Sequence, residues 1–171
     1  MGASGAGTTT LARAMADHWA VPHADADDYF WLPSDPPYVE KRPQAERVSL
    51  MERLFVPRES WVLSGSMLGW GDEVVARCDA VVFLTLDPAE RLRRLEARER
   101  VRYGGRAVND AASAEFLEWA RGYDDPAFEG RSRVAHETWL TGLDCPVLRL
   151  DSASPPAVLR DEVTAWEPVI A

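Results

Sequence analysis

The chain has 171 residues, 46% of them hydrophobic, and a net charge of −9 at neutral pH, which is the size of one domain with enough apolar side chain for a core. So acidic a surface excludes nucleic acid and anionic membrane as main partners, because phosphate polymers need a basic face. The cations are nearly all arginine, with Lys41 the only lysine, so local phosphate contacts through planar guanidinium groups stay open.

The opening stretch, Gly2-Ala3-Ser4-Gly5-Ala6-Gly7-Thr8-Thr9-Thr10, lays out a phosphate-binding loop. A segment almost free of side chains lets consecutive N–H groups converge on phosphate oxygens, and the helix that follows adds the positive end of its dipole. Against the pattern G-x-x-x-x-G-K-[ST] the fit runs from Gly2 to Thr9, with Thr8 where the lysine stands. Thr9 keeps the hydroxyl that reaches Mg²⁺, but the charge is gone, and a lost charge-assisted hydrogen bond costs roughly 1.5–3 kcal/mol. Another cation must substitute, or the activity is low. Such loops also follow a buried strand, and this chain starts too late to encode one, so the first strand is expected to be missing, truncated or replaced.

A helix from about Thr9 to Trp19 buries Leu11, Met15 and Trp19 and ends before Pro22. An extended backbone from Val21 onward puts His23, Asp25 and Asp27 on one side. A nucleotide site needs one acid near Mg²⁺ and often a second to orient or deprotonate a hydroxyl; a solvated acidic turn is the ordinary alternative. His23 reads as structural. Residues 32–43 form a proline-rich loop, where Lys41 and Arg42 either meet a substrate anion or remain surface charges. The segment from Pro43 to Phe55 is helical, with Val48, Met51 and Phe55 on one stripe. Tyr29, Phe30, Trp31 and Tyr38 form an aromatic group suited equally to core packing or to lining a pocket for a flat substrate.

Trp61 to Ser66 reads as a short strand ending in small residues, Ser64-Gly65-Ser66, which permit close approach of ligand or backbone. Asp79 to Leu86 is a continuous apolar run, as in a strand covered on both faces. Asp87-Pro88 is an N-cap followed by the first helical residue. The helix it opens carries Arg91, Arg94, Arg98 and Arg102 on one ridge, with Glu90–Arg94 as an i, i+4 pair on a solvated face. Arg98 and Arg102 precede the glycine hinge Tyr103-Gly104-Gly105-Arg106, where a lid can begin, and are read as phosphate-facing. Further helices follow at 110–123 and 130–140. Arg131 and Arg133 either close over the transferred phosphoryl group, supplying the charge that Thr8 lacks, or pair with the acidic surface. A last strand at 146–151 and a terminal helix after Ser154-Pro155 complete the chain. Cys78 and Cys145 lack C-x-x-C spacing and read as buried, reduced thiols. With no run of spanning length and no signal-peptide pattern, the expected compartment is the cytoplasm.

Helices alternating with short apolar strands imply an α/β domain with a parallel sheet. The loop at 2–10, the stretch Asp25-Ala26-Asp27-Asp28-Tyr29-Phe30-Trp31 and the strand Trp61–Ser66 resemble the small P-loop kinases, which include adenylate and shikimate kinases, and bacterial proteins labelled adenylate kinase or AAA-type ATPase. The resemblance implies a three-layer P-loop NTPase fold in one domain over 1–171, its parallel sheet ordered 2-3-1-4-5. An acceptor-binding region falls at about 32–58 and an arginine-bearing lid at about 102–133. It places Asp25 near Mg²⁺ beside Thr9, and Asp27 on an acceptor hydroxyl. The activity so implied is phosphoryl transfer from ATP to a nucleotide, nucleoside or polar metabolite. Gly2, Ser4, Gly5, Ala6, Gly7, Thr8, Thr9 and Thr10 would hold the donor. Asp25, Asp27, Tyr29, Trp31, Arg42 and Ser66 would hold the acceptor, and Arg98, Arg102, Arg131 and Arg133 the developing charge. The alternative is a nucleotide-binding or sensing module with little catalysis. Either is expected to be a monomer or homodimer.

Overall fold

The computed structural model describes residues 1–35, 37–102 and 111–168. Its elements in order are α1 (Thr8–Trp19), β1 (His23–Asp25), α2 (Ala26–Phe30), α3 (Gln44–Leu54), β2 (Val62–Ser64), α4 (Asp72–Val75), β3 (Val81–Thr85), α5 (Pro88–Arg102), α6 (Ala111–Arg121), α7 (Arg133–Leu140), β4 (Val147–Asp151) and α8 (Pro156–Ala165). A 3-10 turn, Gly122–Asp124, joins α6 to the segment before α7. The proposed hinge at 103–106 lies outside the described residues, as does part of the proposed lid.

Both pairings between the described strands are parallel, and an isolated antiparallel bridge joins Trp31 to Lys41. In β1–β2, His23 lies opposite Val62 and Asp25 opposite Ser64. In β3–β4, Val81 lies opposite Val147 and Thr85 opposite Asp151. Between the glycine loop and β3, Gly2 forms a parallel bridge with Leu84, and the Leu84 N–H donates to the Met1 carbonyl at 2.8 Å. The expected first strand is thus represented by a two-residue edge. The described strands form two separate parallel pairs, and a continuous five-stranded order is not seen, because this edge makes one bridge only.

Two apolar clusters flank the loop. Leu11 and Met15 of α1 pack with Leu84, Leu86, Leu150, Leu159 and Val163, the i, i+4 spacing on α1 having put its pair on one face. Tyr29, Met51, Phe55, Met67, Trp70 and Val74 form the second cluster. Trp19 is 49% exposed, so the α1 stripe stops at Met15.

The extended reading of residues 21–31 fails after Asp25. The Asp25 carboxylate accepts from the Asp27 N–H at 3.1 Å, so Asp25 is the N-cap of a short helix, and Asp27 sits in its first turn, not on the strand face. A carboxylate that satisfies an orphan N–H favours starting a helix over continuing a three-residue strand. Gly65 makes room for that helix: its φ is 98°, and a Cβ there would stand 2.7 Å from the Ala26 Cβ. Gly65 after β2 thus serves close backbone approach, which seats Ala26 at the start of α2 against the strand end.

Candidate active site

The glycine run makes a tight turn. The Ala6 N–H donates to the Ala3 carbonyl at 3.1 Å, Ala6 is wholly buried, and α1 starts at Thr8 with Gly7 as N-cap and no side-chain cap. Uncapped first-turn N–H groups at the positive end of a 12-residue helix favour an anion. Gly5 is required by its surroundings: at φ 87°, a Cβ would lie 2.8 Å from the Arg91 carbonyl and 2.9 Å from Leu95 Cγ. Gly5→Ala is therefore expected to destabilise the fold by about 2 kcal/mol or more, read as a lowered midpoint in thermal or urea unfolding.

Two arginines brace Ser4. Arg91 donates from Nη1 to the Ser4 carbonyl at 3.3 Å, and Arg131 donates from Nη2 to Ser4 Oγ at 2.7 Å. Arg131 Nε is a buried donor with no partner among the described residues. Thr8, in the lysine position, turns its methyl back toward the loop's start, 3.3 Å from where a Cβ on Gly2 would be. Among the described residues, the arginines that bond this loop come from elements distant in sequence.

Asp25 is the hub of the opposite wall. Its Oδ2 accepts from Thr9 Oγ1 at 2.8 Å and from Ser64 Oγ at 2.9 Å, while Oδ1 accepts from the Asp27 N–H. His23 Nε2 lies 3.0 Å from Ser64 Oγ, and burial, the largest influence, lowers its pKa, so it supports Asp25 through Ser64 as a mainly neutral ring. The hydroxyl and carboxylate expected at Mg²⁺ are therefore in contact. Asp27 stands at the open edge, solvent-accessible but walled by protein on most sides. That desolvation, followed by the Asp25 charge, raises its pKa; Arg131 and Arg98 pull the other way. Desolvation in turn lowers the Arg131 pKa, with Asp27 opposing. A raised carboxylate facing arginines beside an anion loop suits proton acceptance from a hydroxyl.

No protein-family model matches the chain. The uncharacterized protein YqaC of Bacillus subtilis (strain 168) is 41% identical over 155 residues, covering 88% of this chain and 85% of that protein. The chain belongs to the YqaC family. Among solved structures, a gluconokinase from Sinorhizobium meliloti 1021 matches with a TM-score of 0.57 and 20% identity, over 96% of this chain and 87% of that one. At that identity the likeness shows the fold alone, a mixed α/β arrangement of helices and parallel strands.

In this YqaC-family chain the residues singled out from sequence do not all converge. Thr9, Asp25, Asp27, Ser4 and Arg131 come together around the loop. Thr10 is exposed on α1. Tyr29 is buried in the second core cluster, its ring 5.5 Å from Phe55. Ser66 is buried too, 2.9 Å from His136 Nε2. Trp31 is half-buried against Phe30 and Tyr38. Arg42 donates to the Tyr29 and Trp31 carbonyls. Arg98 and Arg102 both pair with Glu99, whose side chain is only 5% exposed, and Arg98 also acts on Asp27. Arg133 is exposed and lines a small crevice with Ala3, Tyr123 and Asp124.

Three residues were missed. Arg91 is 1% exposed and bonded to Asp124. Arg94, held by Glu90 and the Ser152 carbonyl, brings Nη1 to 4.0 Å from a Cβ built on Gly7. His136 is wholly buried between Ser66 Oγ and Tyr123 OH (both 2.9 Å), and burial pushes its pKa down to about 3. The i, i+3 ridge held a signal for the arginines, but its buried end could not be told from its exposed end. His136 gave none.

Proposed function

We propose that this chain transfers the γ-phosphoryl group of ATP to a hydroxyl of a small acceptor. One observation carries the reading: the loop hydroxyl of Thr9 and the Asp25 carboxylate are bonded at 2.8 Å directly below an uncapped, arginine-braced glycine turn. The acceptor oxygen would attack the γ-phosphorus, the bond from that phosphorus to the ADP oxygen would break, and the acceptor proton would pass to Asp27. Arg131 would supply the charge that Thr8 lacks. Its guanidinium is fixed at Ser4 before the donor arrives, so little ordering cost remains. Arg94, hooked to Ser152, offers a flat cationic face beside Gly7 for the donor base.

Thr9 and Asp25 fit Mg²⁺, a hard cation that typically takes one or two protein oxygens and completes its shell with phosphate and water; among the described residues there is no cluster of three His, Cys, Asp or Glu that would cage it alone. The ion would neutralise charge between the β- and γ-phosphates. A sheet ordered 2-3-1-4-5 and a cytoplasmic location belong to this reading. It is supported by the loop edge beside β3, and no helix among the described residues is long and apolar enough to cross a membrane. Thr8 favours one alternative, a nucleotide sensor without turnover.

ADP formation across hydroxyl and monophosphate acceptors separates the two, with calorimetry on MgATP alongside. Arg131→Met is expected to weaken MgATP binding about tenfold or more, and Thr8→Lys in that background to restore it. Unchanged affinity in Arg131→Met would remove Arg131 from the donor site.

A further inference from the structure

The two arginines that bond Ser4 are held in different ways. Arg91 is paired with Asp124 at 2.9 Å, so its charge is met inside the protein. Arg131 has no acid within ion-pairing distance among the described residues. What lies under it is a ring: its guanidinium carbon stands 5.0 Å from the centroid of Trp119 on α6, inside the roughly 6 Å over which an aromatic face attracts a cation. Its Nη2 donates to Ser4 Oγ at 2.7 Å and its Nε is sealed from solvent without a partner, whereas Nη1 is neither bonded to a described residue nor sealed.

Trp119 is itself braced. Phe116, three residues earlier and so on the same side of α6, stacks with it at 6.2 Å, and Phe128 meets it edge-on at 6.4 Å. Phe128 has no room to move aside, since a Cβ on Gly122 or on Gly130 would strike its ring. Phe116 carries a second cation, Arg98, at 5.7 Å. Both Arg131 and Arg98 draw the Asp27 pKa down, so α6 lays two cations of the site on one aromatic surface. A chain with 28 acidic residues had carboxylates enough to hold Arg131. A carboxylate would have met the charge that a phosphate needs, whereas a ring face holds a guanidinium flat and leaves its N–H edge and its charge to a ligand.

We propose that Trp119 is a positioning residue: its indole face, backed by Phe116 and Phe128, holds the Arg131 guanidinium against Ser4 with no acid to compensate it, so that donor phosphate meets a cation already in place. The holding stands on the ring geometry alone, and its effect on nucleotide rests on the phosphoryl-transfer reading.

The test is MgATP calorimetry on wild type, Trp119→Leu, Trp119→Phe, Arg131→Met and the double variant Arg131→Met/Trp119→Leu. Trp119→Leu is expected to weaken MgATP about three- to tenfold, and Trp119→Phe less, because phenylalanine keeps a ring face. In the Arg131→Met background Trp119→Leu should change affinity by less than about twofold. That background suffers the same loss of packing, so a merely structural tryptophan would not give this pattern. Additive losses would mean that the indole touches nucleotide or supports the fold directly, and would overturn the proposal. A second measurement needs no nucleotide. The Arg131 Nε–H proton resonance, identified by its disappearance in Arg131→Met, should lie upfield in wild type under the indole ring current, then move downfield and broaden in Trp119→Leu. A signal that stays in place would likewise overturn the proposal. If Arg131→Met weakens MgATP and Trp119→Leu does not, the aromatic support falls and the donor site stands. If neither variant alters affinity while the Nε–H signal moves, Arg131 leaves the donor site and the aromatic support stands.

Discussion

Asp27→Asn is expected to lower kcat by about 10²–10⁴-fold while leaving MgATP affinity nearly unchanged. Asp27 lies at the start of α2, held there by the bond of its own N–H to Asp25, and only its side chain faces the arginines. Removing its charge therefore takes away a proton acceptor without loosening the Thr9–Asp25 contact. Because desolvation and Asp25 raise its pKa, kcat/KM in wild type should climb with pH through a midpoint above the ordinary carboxylate range, and the climb should vanish in Asp27→Asn. The stability effect has the opposite sign. A carboxyl whose folded-state pKa is raised makes ionisation costly to the native state, and that cost is fully present above the folded value. Asp27→Asn should thus melt higher than wild type near neutral pH, with the gap closing as pH falls below the unfolded carboxylate value. Rate profiles and melts over pH 3–9 check both. A fall in kcat of less than about tenfold would mean that the nucleophile needs no base, as when it is already a phosphate oxygen.

How much of this could be read in the sequence follows from the range of the forces involved. The glycine loop, the helix from Thr8 and the Asp87 cap are set by neighbours within four residues, and they appear where glycine spacing and capping residues put them. Asp25 and Thr9 are 16 residues apart, and their contact followed only from the resemblance to P-loop kinases. The turn into α2 was lost because alternation and capping compete over the same five residues, and one carboxylate–amide bond decides between them. Burial of charge was the least legible. Arg91, Arg94, Arg98 and Arg102 share a ridge, but Arg91 is enclosed by Tyr123, Asp124 and Ala120, supplied about thirty residues later, and Arg98 is solvated. Arg47 looked like one more polar residue of an amphipathic helix, since its aromatic partners come from α2 and from the loop after β2.

The same long-range placement is how a loop without lysine can keep its shape. Arg91 and Arg131 reach Ser4 from α5 and from the segment before α7, so the loop depends on the packing of elements that an adjacent lysine would not involve. Its geometry is then coupled to global stability, and the buried Arg91 is where the coupling is strongest.

Asp124→Ala is accordingly expected to destabilise the protein by about 3 kcal/mol, at the low end of the 3–5 kcal/mol seen when one partner of a buried ion pair is removed, because the Asp124 side chain keeps 22% exposure. For a chain of this size that is a fall of roughly 6–12 °C in melting temperature. The cost arises on the arginine: its side chain is 1% exposed, and among the described residues its Nε has no partner and, without Asp124, it keeps only the Ala120 and Ser4 carbonyls and the Tyr123 ring. Arg91→Met separates charge from packing. Methionine fills much of the volume, and Asp124 can solvate, so its stability loss should be smaller than that of Asp124→Ala. Nucleotide affinity should follow the other order, because Arg91→Met frees the Ser4 carbonyl whereas Asp124→Ala leaves that bond in place. Urea unfolding and MgATP calorimetry on the two variants read the two orders independently. Equal unfolding midpoints would show that Asp124 does not compensate the buried guanidinium, and equal affinities that Arg91 does not shape the loop.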